Sequence, residues 1–223
     1  MPAHASDRSM WRALRDEIRA LVPRGRVMIA VDGEVGAGQS AFAAGLAEAL
    51  AEDGTAVFRA SIDGFRTPRA ARDARGRTSP EGFYRDSFDV DALRRELVQP
   101  FRSADPSGFR LAVFDVERDE RVDAPPVVAP ADAVLIVDGL FLNRPELRGV
   151  WNWSVWLEAP LDVRYARMAE RDGTDPDPAS ADNARHRGGE ELYLREANPR
   201  ARATVIVDNT DPAAPVRVYQ DFC

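Results

Sequence analysis

Val27-Met28-Ile29-Ala30-Val31-Asp32-Gly33-Glu34-Val35-Gly36-Ala37-Gly38-Gln39-Ser40 is an apolar run of strand length that breaks into a glycine-rich turn. The run is continuous rather than alternating, as in a parallel strand buried on both faces. Phe42, Leu46 and Leu50 then recur at helical spacing, and Gly54 closes the helix. The turn fits G-x-x-x-x-G-K-[ST] at every fixed position but one, where Gln39 takes the place of lysine. Glycines let such a loop curl so that its N–H groups face an anion, and the helix behind it adds its positive end. The expected phosphate-binding residues are therefore Gly33, Gly36, Ala37, Gly38, Gln39 and Ser40, with the Ser40 hydroxyl directed at Mg²⁺. Glutamine keeps a donor but lacks the charge that lysine sets against the outer phosphates.

Outward from this unit the chain alternates between strand and helix patterns. Met10, Leu14, Ile18 and Leu21 predict an amphipathic helix over residues 9–22, ended by Pro23 and Gly25. Strands are expected at 55–61, 109–115, 133–138, 154–157 and 203–207, and helices near 90–101, 161–171 and 190–196. Residues 62–88 are polar and rich in Arg, Gly and Pro, which reads as a long functional or disordered loop. Residues 172–188 hold two prolines and read as a mobile lid, and 209–223 as a weakly patterned tail. The alternation implies one α/β domain over 1–223, a mostly parallel sheet in three layers with helices on both faces. Ligands on such sheets bind beyond the carboxyl ends of the strands, where Asp32, Asp63, Asp115 and Asp138 are expected.

Composition narrows the partners. The 223 residues are 44% hydrophobic and 30% charged with a net charge of −7, a globular balance without a basic stripe for nucleic acid. No apolar run has membrane-spanning length, and the first residues carry no secretory pattern. Cys223 is the sole cysteine, which fits a reducing compartment such as the cytoplasm. All 30 basic side chains are arginine. Chemistry that calls for a lysine ammonium is therefore absent or moved to arginine.

From about Arg26 to Asp211 the chain resembles the uridine kinase and phosphoribulokinase group of P-loop kinases, especially short bacterial uridine kinase-like proteins. The resemblance is carried by Val31-Asp32-Gly33 with its loop, Ser61-Ile62-Asp63-Gly64-Phe65, Ser79-Pro80-Glu81-Gly82-Phe83-Tyr84, Asp86-Ser87-Phe88-Asp89, Phe114-Asp115, Val137-Asp138-Gly139-Leu140-Phe141, Arg167 to Asp172, and Val207-Asp208-Asn209-Thr210. It implies a P-loop NTPase fold, ATP and Mg²⁺ as cofactors, and phosphoryl transfer to a hydroxyl of a nucleoside-like small molecule. Asp63 is placed like the family's general base, and Asp138 like its metal-side carboxylate with Ser40. Arg167 and Arg171 resemble the lid arginines, with Arg185 and Arg187 looser candidates. Tyr84, Asp86, Phe114 and Asp115 fall on the acceptor side, although Phe114 reads equally well as core and Asp89 as a helix cap. A homo-oligomer is left open. Val35, Gln39 and Gly64 depart from the family pattern together, so a catalytically degenerate nucleotide-binding protein is the alternative, and altered chemistry on the same scaffold a third.

Overall fold

The computed structural model describes residues 9–219, so the readings of residues 1–8 and of Cys223 lie outside the described residues. Helix α1 (Ser9–Leu21) precedes β1 (Val27–Gly33), the glycine-rich turn and α2 (Gln39–Ala51). β2 (Val57–Ser61) runs into a 3-10 turn at Ile62–Phe65. Short helices α3 (Arg69–Arg72) and α4 (Pro80–Asp86) follow. A continuous helical stretch comes next: α5 (Val90–Ala92), a π-helical segment Leu93–Val98, and α6 (Gln99–Ser103). A ribbon of β3 (Phe114–Asp115) and β4 (Glu120–Arg121) leads to β5 (Val134–Asp138) and β6 (Trp153–Glu158). Helices α7 (Leu161–Asp172), α8 (Ala184–Ala197) and α9 (Pro199–Arg202) come before β7 (Val205–Asp208) and β8 (Val216–Val218).

The main sheet has the order β2-β5-β1-β6-β7-β8, parallel except for the β7–β8 pair. Every residue of β1 and β5 is buried, which is why their sequences run apolar without alternation. One face packs Val27, Ile29 and Val31 against α1 and α2. There the Trp11 ring meets Phe42 at 5.7 Å and donates its indole N–H to the Phe42 carbonyl. The other face packs Met28 and Ala30 within a core that includes Phe83, Tyr84, Phe141 and Tyr193. Among the described residues no helix is long and apolar enough to cross a membrane.

Several expectations are corrected. Residues 62–88 are largely helical, because Ser79 caps α4 and Phe83 and Tyr84 anchor it in the core. The strand expected at 109–115 shrinks to one bridge, Phe109 with Val127, and the two-residue β3, outside the main sheet. Gly108, at φ 84°, turns this segment away, and Phe109 packs edge-on to Phe58 and Phe101. The segment read as a lid is helical from Ala184 on, and the tail contributes β8, whose three residues are too few to show a period.

Candidate active site

β1 delivers Asp32 to the base of the turn, but not toward ligand. Asp32 is 0% exposed and accepts from Asn143 Nδ2 at 2.8 Å, Asn143 N at 2.9 Å and the Tyr193 hydroxyl. Burial pushes its carboxyl up to about 6. Gly33 must be glycine for closeness: a Cβ there would lie 2.6 Å from the Leu157 carbonyl. The loop's first amides are already used. Gly33 N–H bonds Asp32, Glu34 N–H bonds the Leu157 carbonyl, Val35 N–H bonds Glu190, and Ala37 N–H bonds the Glu34 carbonyl. The Gly33 and Ala37 amides are therefore engaged within the loop itself.

The second half of the loop is different. Gly36 and Gly38 are left-handed at φ 81° and 93°, and α2 starts at Gln39 with no side-chain cap. The first-turn N–H groups therefore have no intrahelical acceptor and form a concave donor site. Gln39 folds back so that its Nε2 donates to the Glu34 carbonyl at 2.9 Å. Asn209 Nδ2 donates to the Ala37 carbonyl at 2.7 Å, which explains the motif at 207–210. A cavity of 280 Å³ opens over Gly36, Gly38, Gln39 and Ser40, walled by Arg167, Met168 and Arg171. Arg167 is tied to the Asn209 and Thr210 carbonyls, so it builds the wall.

Ser40 Oγ donates to Asp138 Oδ2 at 2.6 Å. Two hard oxygens this close suit Mg²⁺, which is usually held by one or two carboxylates plus phosphate oxygens and water. Burial raises the Asp138 carboxyl, opposed by Ser40 and Arg59. Arg59 was not singled out from sequence. Its Nη2 donates to the Ser40 carbonyl at 3.0 Å and stands 3.4 Å from Asp138 Oδ1. A guanidinium thus borders Asp138, beside a loop that lacks lysine.

A second cavity, of 110 Å³, joins Gly36, Gln39 and Ser40 to Asp63, Arg66, Phe88, Gly139 and Arg171. Asp63 sits half-exposed just past β2, its N–H capped by Ser61, and pairs with Arg66 Nε at 2.8 Å. Gly64 has no room for an acidic side chain, since a Cβ would meet Ala112 at 2.8 Å. Arg171 lines both cavities and pairs with Asp172 at 2.6 Å.

The remaining acceptor-side expectations do not converge here. Tyr84 is 1% exposed, its ring packed on Phe141 and Tyr193. Asp86 is held by Arg75 at 2.7 Å. Phe114 is buried in the ribbon, and Asp115 accepts from the Glu117 and Arg118 amides as a turn cap. Asp89 caps α5 through the Ala92 amide. Sequence reading also missed a buried strap. Arg164 Nη1 bonds Glu190 at 2.9 Å and its Nε stands 3.3 Å from Glu34, tying α7 and α8 to the loop. Burial pushes Glu34 up to about 7, against the pull of Arg164.

No protein-family model matches the chain. It is 25% identical over 147 residues to a uridine kinase of Leuconostoc citreum, 66% of this chain and 68% of that protein. A solved structure of a possible uridine kinase from Bacillus stearothermophilus superposes with a TM-score of 0.71 at 24% identity, covering 89% of this chain and 97% of that one. A Silicibacter structure whose name refers to a fructose transport system kinase gives 0.65 at 27% identity, covering 85% and 94%.

Proposed function

We propose that this chain, which belongs to the uridine kinase and phosphoribulokinase-like group of P-loop kinases, transfers the γ-phosphoryl of ATP to a hydroxyl of a small, nucleoside-like acceptor. One observation carries this reading: a single cavity joins the free half of the loop, through Gln39 and Ser40, to Asp63. Bound MgATP would supply the phosphoryl group and a metal to neutralise its charge. The amides at Gly36 and from Gly38 to Ser40 would hold the phosphates, and Ser40 and Asp138 the metal. Asp63 would take the proton of the attacking hydroxyl, with Arg66 holding the carboxylate in place. Arg171, which borders both cavities, would cover the transferring group and exclude water. A small-molecule reaction of this kind belongs in the cytoplasm, where ATP is available. The test is transfer from γ-labelled ATP to a panel of nucleosides, sugars and pantothenate-like alcohols, with Asp63→Ala as control. Transfer that collapses in the variant supports the reading.

A second reading rests on Gln39. Its amide is occupied by the Glu34 carbonyl and brings no charge to the phosphates. On that reading the chain binds nucleotide without turnover. Tight MgATP binding, absent transfer, and transfer gained by Gln39→Lys would favour it.

A further inference from the structure

A further cavity, of 240 Å³, shares no lining residue with the two cavities over the phosphate loop. The segment between β5 and β6 gives it Asn143, Arg148 and Trp151, β6 gives Ser154, α9 gives Arg202, and Thr204 stands just before β7. Its walls are fixed by the fold. The Trp151 indole N–H donates to the Leu142 carbonyl at 2.7 Å, and Arg102 holds the Val150 carbonyl at 2.7 Å. Ser154 and Thr204 hold each other: the Ser154 amide donates to Thr204 Oγ1 at 3.1 Å, and the Thr204 amide to Ser154 Oγ at 3.3 Å. Each hydroxyl thus accepts one bond, and among the described residues nothing accepts from either, so both O–H groups remain to donate.

No carboxylate lines this cavity. Among the described residues neither Arg148 nor Arg202 forms an ion pair, and Arg202 gives only its Nε, to the Ala197 carbonyl at 2.7 Å. The acids nearest them in sequence are engaged: Glu146 with Arg144, Glu196 with Arg85, and Asp208 with Thr210. Two guanidinium groups and two free hydroxyl donors around one hollow are the chemistry that receives an oxyanion. The half-buried Trp151 adds apolar ring surface. The space is smaller than the about 300–1,000 Å³ of drug-sized pockets, so it suits a small metabolite rather than a nucleoside triphosphate.

We propose that this cavity is a second ligand site, separate from the cleft, for a small molecule bearing a carboxylate or phosphate on a flat apolar body, and that its occupancy is felt at the phosphate loop through Asn143. The oxyanion meets Arg148, Arg202 and the two hydroxyls, and the body lies along Trp151. Asn143 is common to the cavity and to Asp32. Its backbone N–H and its Nδ2 donate to Asp32 Oδ2 at 2.9 Å and 2.8 Å, while Asp32 Oδ1 holds the Gly33 amide that opens the loop. A ligand that shifts or fixes Asn143 therefore changes the footing of the loop, and by linkage nucleotide changes the affinity for that ligand.

Calorimetric titration of the full chain with benzoate, phenyl phosphate and the neutral benzyl alcohol tests the inference, with MgADP present so that added anions do not report on the phosphate loop. The charged probes are expected to bind about tenfold tighter or more than benzyl alcohol. Benzoate against phenyl phosphate tells a carboxylate site from a phosphate site. Binding should change the tryptophan emission, and Trp151→Phe should abolish that change. Arg148→Ala should erase the charge preference, whereas Arg195→Ala, which removes an exposed arginine outside the cavity, should leave it. Arg202→Gln, with its melting midpoint, separates lost charge from lost fold. In a second titration the probe should shift the MgADP dissociation constant about fivefold or more in the native chain and not in Arg148→Ala. Equal or absent binding by the charged probes, or a preference that survives Arg148→Ala and Arg202→Gln together, overturns the site. Binding without a shift in MgADP affinity overturns the link to Asp32. Failure of the kinase reading looks different: labelled ATP phosphorylates no acceptor, while the charge preference and its dependence on Arg148 persist.

Discussion

The two sides of the cleft are built by different means. The donor side is made of backbone. From Asp32 to Ser40 the chain is fixed by its own carbonyls and amides, by Leu157 and by Glu190, and the groups proposed to hold phosphate are main-chain N–H. The acceptor side is made of residues from the turn after β2, from Phe88, from the turn after β5 and from Arg171 of α7. A site made of backbone depends on glycine spacing and tolerates the loss of a side chain such as the usual lysine. A site made of side chains depends on which residues three or four segments happen to bring together.

The largest expected effect falls on the acceptor side. Asp63→Ala should lower kcat by about 10²–10⁴ while leaving MgADP affinity within a few-fold, read by steady-state kinetics and calorimetry. Equal losses in both would erase the distinction between the two sides.

Next is the lysine position on the donor side. Gln39→Lys should raise turnover by about 10–10³. Arg59→Ala should lower turnover in the native chain and matter less beside Gln39→Lys, if Arg59 offsets the missing charge. A double-mutant cycle reads that coupling.

Smaller is the effect of shape. Gly36→Ala places a Cβ 2.6 Å from the Arg164 carbonyl in a left-handed residue, whereas Gly76, at φ 99°, has nothing within 4 Å. Gly36→Ala should cost at least about 1–3 kcal/mol of stability and most of the nucleotide affinity, and Gly76→Ala about 1–2 kcal/mol and no affinity. Chemical denaturation with parallel nucleotide titration checks both.

The smallest effect is one of pH. Glu34 and Asp32 have raised folded pKa values, about 7 and about 6, because burial disfavours their charged forms. An acid raised in this way holds its proton in the fold while the unfolded chain releases it. Stability therefore falls as pH rises from the ordinary carboxylate range through about 7. Glu34→Gln should flatten that fall, seen as melting midpoints that converge at low pH and separate in favour of the variant above neutrality.

The same contrast explains what could be read from sequence. β1, the glycine loop and α2 were legible because each signal is local: an apolar run, glycines at required positive φ, a helical period. Ser40 and Asp138 were legible as strand-end and helix-start residues, and they meet at 2.6 Å. Arg59, Arg66 and the Arg164–Glu190 strap were not, since in an arginine-only chain no single arginine stands out. Tyr84 and Phe114 were read as acceptor contacts from their motifs, but both are buried, because an aromatic at a motif position serves the core equally well. The polar composition of residues 62–88 hid α4, whose capping serine and two aromatics outweigh its neighbours.

Amide hydrogen exchange with and without MgADP tests the central claim most directly. Added protection at Gly36, Gly38, Gln39 and Ser40, with little change at Gly33, Val35 and Ala37, is the expected result. Protection that falls outside this loop, or spreads evenly over residues 33–40, contradicts the account.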